Sequence, residues 1–216
     1  MLTRVLGFAD SSLLLISFVL ILLYWNRLNT ALKFFGAFIG LSFLVQTSAF
    51  TIPYLIKGYN NFWLLHLLTL GEFIFLSLFY YHLFKENDRF QKFIRIFLPI
   101  VSLLIISNSI FLEPITGYNS NAKALTQLFI ISYAIYYFYI VSTKEILTDN
   151  YNKALHIINS GILLYYAGSL FIFMFGKIAM DIVEWKLFLI FNATLYFIFL
   201  IIVLIGLWKV IFKQQN

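Results

Sequence analysis

The chain has 216 residues, of which 62% are hydrophobic, 20% aromatic and only 11% charged, with a mean hydropathy of +0.91. Soluble domains carry about a quarter charged residues, so this composition excludes a soluble domain and specifies an all-α polytopic membrane protein. The net charge of +6 does not mark a nucleic-acid partner, because the basic residues stand singly at the ends of apolar runs, and the absence of cysteine excludes disulfides, thiolate metal sites and cysteine nucleophiles together.

A hydrocarbon core about 30 Å thick needs roughly 20 apolar residues per spanning helix. The chain divides into seven such runs, at 8–25, 31–52, 62–84, 93–112, 124–142, 154–177 and 186–210, forming one domain over residues 1–216. The first follows Met1–Arg4, is interrupted by Asp10 and meets Tyr24 to Asn29 rather than a small-residue cleavage site, so it is expected to be a retained helix. The second carries Gly36 and Gly40, a small-xxx-small spacing that lets two backbones approach, either inside the bundle or in a homodimer. The third holds His66, Thr69 and Glu72. The fourth lies between the basic stretch Lys85–Arg95 and Pro114, and the fifth follows Lys123. Gly161, Gly168 and Gly176 mark the sixth as the most enclosed, and Lys186 and Lys209 flank the seventh. No connector is long enough for a soluble domain.

Positively charged loops stay cytoplasmic. One set of loops holds ten basic residues, Arg27, Lys33, Lys85, Arg89, Lys92, Arg95, Lys144, Lys153, Lys209 and Lys213; the other holds five, Arg4, Lys57, Lys123, Lys177 and Lys186. The N-terminus is therefore expected outside and the C-terminus in the cytoplasm. Trp25, Trp63, Trp185 and Trp208 all fall near expected helix ends, as an aromatic belt requires.

"NTAL" from Asn29 precedes Trp63 by 34 residues and "NKAL" from Asn152 precedes Trp185 by 33. Two readings stand. Helices one to three are repeated in five to seven around helix four, a parallel 3+1+3 arrangement, or asparagine caps and interfacial tryptophans recur independently.

Glu72 lies near the expected midplane, where a charge costs several kcal/mol, so it must face protein or water and be neutral unless a cation or several donors meet it. Either it makes a packing hydrogen bond or it handles a proton or ligand. Thr69, one turn earlier, shares its face, whereas His66 is turned about 120° away. Gln46, Gln127 and Asn192 are expected in the outer half or at the midplane, able to converge with Glu72 on a cavity open to the exterior. Asn108 and Asn159 are further deep amides, Asn159 expected in the cytoplasmic half, and such an amide is more often an interhelical hydrogen bond than a ligand contact.

No catalytic constellation emerges. Glu72 is the only acid expected away from a helix end, which leaves no paired carboxylates and no base for a nucleophile. His66, His82 and His156 are assigned to different depths, so neither a metal nor another cofactor is expected, and the chain is not read as an enzyme.

The stretches "NNFWLLHLLTLGEF", "SGILLYYAGSLFIFMF" and "NATLYFIFLIIVLIGLW", starting at Asn60, Ser160 and Asn192, together resemble a set of small seven-helix integral membrane proteins of Bacteroidota over most of the chain. The resemblance carries no activity and implies a bacterial inner membrane. Two functions fit the residues. One is a receptor-like or sensory protein with a small ligand in a polar cavity around Glu72 and a cytoplasmic partner, or anionic lipid, at Lys85–Arg95. The other is a small proton- or cation-coupled transporter using Glu72.

Overall fold

The computed structural model describes residues 2–56, 60–144, 150–179 and 185–212. Lys57, Asp181, Glu184 and Lys213, and the side chains of Arg4, Lys144, Gly176, Lys177, Trp185 and Lys186, lie outside that description. Among the described residues all regular structure is helical. Seven α-helices are each long and apolar enough to cross a membrane, as a multi-pass protein in a lipid bilayer requires. They are α1 (Leu2–Leu23), α2 (Thr30–Leu55), α3 (Trp63–Leu83), α4 (Asp88–Phe111), α5 (Ser120–Lys144), α6 (Asn150–Ala179) and α7 (Trp185–Phe212), with a 3₁₀ turn, Trp25–Arg27, after α1.

Each expected span is present, but several helices start earlier than hydropathy places them. The reason lies in the capping chemistry. Apolar content marks the hydrocarbon-length window, whereas the helix continues through its polar first turn to whatever satisfies its free N–H groups. Asn29 caps α2, its side-chain oxygen accepting from Leu32 N at 2.9 Å, and Asn87 caps α4 by accepting from Phe90 N at 3.1 Å. The basic stretch expected as a loop is therefore mostly helix: Arg89, Lys92 and Arg95 stand exposed on the first two turns of α4, with Lys85 exposed just before them. Asp10 lies more than two turns inside α1, because that helix begins at Leu2. Glu72 is thus not the only acid within a helix interior.

Serine and threonine within the spans mostly turn back on their own helix. Ser11, Ser17, Thr51, Ser132, Ser160 and Thr194 each donate to the carbonyl four residues earlier, which removes the cost of an unpaired hydroxyl in an apolar setting.

The chain forms two compact units, Leu28–Thr126 and a second made of Met1–Arg27 with Gln127–Asn216. This division groups α1 with α6 and α7, not with α2 and α3 as a 3+1+3 partition would. In the first unit α2 and α3 pack through Phe35, Phe38 and Ile39 against Phe73, Leu76 and Phe79, all at most 2% exposed. The rings of Phe35 and Phe79 lie 5.6 Å apart. Gly71 gives α3 its close approach to α2, since a methyl there would overlap the Leu41 side chain. Gly36 and Gly40 are buried within the chain itself. On α4, Ile94, Val101, Ile105 and Asn108 are buried, while Ile100, Leu103, Leu104 and Ile110 are exposed. A helix apolar on both faces suits hydrocarbon rather than water.

In the second unit α6 and α7 approach through glycines. A methyl on Gly161 would come 2.9 Å from Ile202, and one on Gly168 would come 2.8 Å from Leu195. Gly206 faces Ile158 from the other helix. α1 packs along α7, and the ends of the two helices meet where Tyr24 and Phe212 contact edge to face at 5.3 Å. Asn159 donates to Ala134 O at 3.1 Å, an interhelical bond of the structural kind.

Candidate functional site

α3 directs His66, Thr69 and Glu72 inward at 5%, 2% and 2% exposure, and each meets a different part of the segment running from α4 to α5. Glu72 lies nine residues along α3, about 13 Å from its start at 1.5 Å per residue. Its carboxylate accepts from the ammonium of Lys123, which is 7% exposed and sits in the first turn of α5. Expected as a flanking loop residue, Lys123 lies inside the helix instead, because α5 begins at Ser120. It is the cation that Glu72 needed. Glu72 was expected neutral unless a cation met it, and the ammonium of Lys123 meets it.

One turn towards the start of α3, Asn119 donates to Thr69 Oγ1 at 2.7 Å and to Leu65 O at 3.1 Å. These two bonds place the start of α5 level with Leu65 to Thr69 rather than with Trp63, so α5 begins inset by about a turn. That inset brings Lys123 down to Glu72.

A second buried carboxylate supports the inset. Glu113, 2% exposed, accepts from Asn108 Nδ2 and from Ser120 Oγ, both at 2.8 Å, and from Asn121 N at 3.0 Å to its nearer oxygen. It therefore caps α5 from outside that helix, with its charge at the positive end of the helix dipole. Tyr118 is held beside it, and burial, then the Glu113 charge, pushes the phenol above its ordinary range.

His66 turns to the other side, as the 120° rotation requires. Nε2 lies 3.2 Å from Gly117 O and Nδ1 lies 2.7 Å from Ser109 Oγ. A carbonyl only accepts, so Nε2 carries a hydrogen, while Ser109 Oγ stands between His66 Nδ1 and Ile105 O, the latter at 3.1 Å. The α4–α5 connection is thereby folded over the start of α3, and Asn60 adds a bond to Thr116 O at 2.7 Å. Beside this layer, between α3 and α4, lies a pocket of about 610 Å³ lined by Trp63, His66, Leu70, Ile105, Ser109 and Pro114 among others. That volume is typical of small-molecule sites. Glu72 is not among its lining residues.

Gln46 belongs to the same unit as Glu72 and is partly buried on α2. Gln127 and Asn192 belong to the other unit. Gln127 is fully buried and donates to Ser169 Oγ at 2.8 Å, while Asn192 is partly buried on α7. The residues that sequence reasoning missed are Lys123, Asn119, Glu113 and Ser120. The available signal was "SNAK", Ser120 to Lys123: a helix start at its serine would have put Lys123 one turn inside a span. Among the described residues no three histidine, aspartate or glutamate side chains gather as a metal site would need.

Comparisons with protein-family models, with curated proteins and with solved structures find no match to this chain.

Proposed function

We propose that the chain is a receptor-like, sensory protein of a bacterial inner membrane, in which a ligand opens the Glu72–Lys123 pair and so releases the start of α5 from α3. The observation that carries this reading is the pair itself, two opposite charges buried between two helices. A buried ion pair is often no more stabilising than an apolar replacement, whereas losing one partner is costly. Such a contact holds one arrangement and gives it up to a competitor. A small ligand bearing a charge can replace either partner.

Removing Lys123 from the loop count leaves ten basic residues against four, which supports an outside N-terminus. In that orientation the polar layer lies in the outer half. The exposed Lys85, Arg89, Lys92 and Arg95 then face the cytoplasm, where a partner or anionic lipid would meet them. α3 links the two ends. Amide exchange tests the link: with Lys123→Met, protection is expected to change both at residues 112–123 and at Phe84 to Asn87 beyond the far end of α3. A change confined to residues 112–123 would leave the pair a packing role alone.

A small proton- or cation-coupled transporter using Glu72 is the second reading, supported by a carboxylate buried within a membrane-length helix. Liposomes holding the protein and a pH-sensitive dye distinguish the two. The receptor reading expects proton flux no greater than in protein-free vesicles under an imposed potential, while flux that is lost in Glu72→Gln would favour transport.

A further inference from the structure

Three acids are buried among the described residues, and they sit in three different environments. Glu72 has an ammonium. Glu113 has two side-chain donors and a backbone N–H. Asp10 has neither: it is 4% exposed, makes no ion pair among the described residues, and its Oδ1 is buried without a hydrogen-bond partner. We propose that Asp10 is a proton-binding site in the unit that contains α1, α6 and α7, and that it carries its proton in the resting protein.

The position of Asp10 fixes this chemistry. Asp10, Leu14, Ser17 and Ile21 form the buried stripe of α1, at 4%, 0%, 0% and 1% exposure. Ser17 spends its hydrogen on Leu13 O and so donates nothing to Asp10. α7 packs along α1, and its described titratable groups are Tyr196 and Lys209. Tyr196 packs with Tyr165 at 5.3 Å. Lys209 lies in the last turn of α7, the end that meets Tyr24, and Asp10 precedes Tyr24 by fourteen residues, about 21 Å of helix. Lys209 cannot reach it. An ionised carboxylate with no partner in an apolar stripe costs several kcal/mol, whereas the neutral acid brings its own donor. The same unit also buries Gln127 Oε1 and Asn192 Oδ1 without donors. A proton is the ligand that a buried carboxylate without a donor takes up.

The proposal concerns a different unit from Glu72 and does not rest on the receptor reading. Infrared spectroscopy of the purified full-length protein at neutral pH tests it through the carbonyl stretch of a protonated carboxylic acid. That band is expected in the wild type, to shift in D₂O, to persist in Glu72→Gln and to vanish in Asp10→Asn. Carboxyl-¹³C-aspartate labelling of the wild type needs no variant and is expected to shift the same band. No band at neutral pH, a band unmoved by aspartate labelling, or one that survives in folded Asp10→Asn would overturn the proposal. So would a band that appears only when sodium is replaced by choline, since Asp10 would then hold a metal ion as carboxylate.

Discussion

Asn119 donates to Thr69 Oγ1 at 2.7 Å, and one turn further along the same two helices Lys123 meets Glu72. The first bond sets the register of α5 against α3, and the second places two opposite charges in that register. Neither Asn119, just before α5, nor Lys123 lies where hydropathy would have put it, because the helix starts below the level of Trp63.

Glu113 should carry much of the inset. Glu113→Ala removes the acceptor for Asn108 Nδ2, Ser120 Oγ and Asn121 N together. It should destabilise the protein by about 1–3 kcal/mol, as expected for buried donors left unpaired and a lost helix cap. Reversible unfolding in mixed detergent measures this. A loss no larger than that of an exposed substitution such as Lys92→Ala would mean that the cap contributes little.

Tyr118 gives a pH signature outside the spans. Its phenol stays neutral in the folded protein to higher pH than in the unfolded chain. The unfolded state therefore releases its proton first, near the ordinary phenol value of about pH 10, and folding stability falls as pH rises from there towards the folded-state value. Below about pH 10 the contribution is constant. Tyr118→Phe should flatten part of the alkaline decline in melting temperature without altering the curve at neutral pH; equal declines in both proteins would contradict the assignment.

Topology is open to a direct assay. Reporter fusions after Glu86 and after Tyr118 should report opposite sides of the membrane, the former cytoplasmic, on the strength of ten basic residues against four. A reversed result would place the Glu72 layer in the inner half and the α4 basic stripe outside.

The spans were legible because bilayer thickness imposes a length that mean hydropathy detects, and all four tryptophans mark helix ends to within about a turn. Glu72 was legible as a residue that had to be inside and partnered. Its partner was not, because a lysine between "NSNA" and an apolar run looks the same in sequence whether it flanks a helix or lies one turn within it. The decisive bonds come from Asn119 and Glu113, which act across about 50 residues in one case and against a helix start in the other. Asp10 was hidden for the same reason: without knowing that α1 begins at Leu2, it reads as a residue near the end.

A double-mutant cycle tests the central claim, that Glu72 and Lys123 act as one buried unit. Glu72→Leu and Lys123→Met each strand the opposite charge and should each cost about 3–5 kcal/mol in detergent unfolding, while the double variant should return to within about 1 kcal/mol of wild type. Losses that simply add, with the double variant as unstable as the sum of the two, would contradict it.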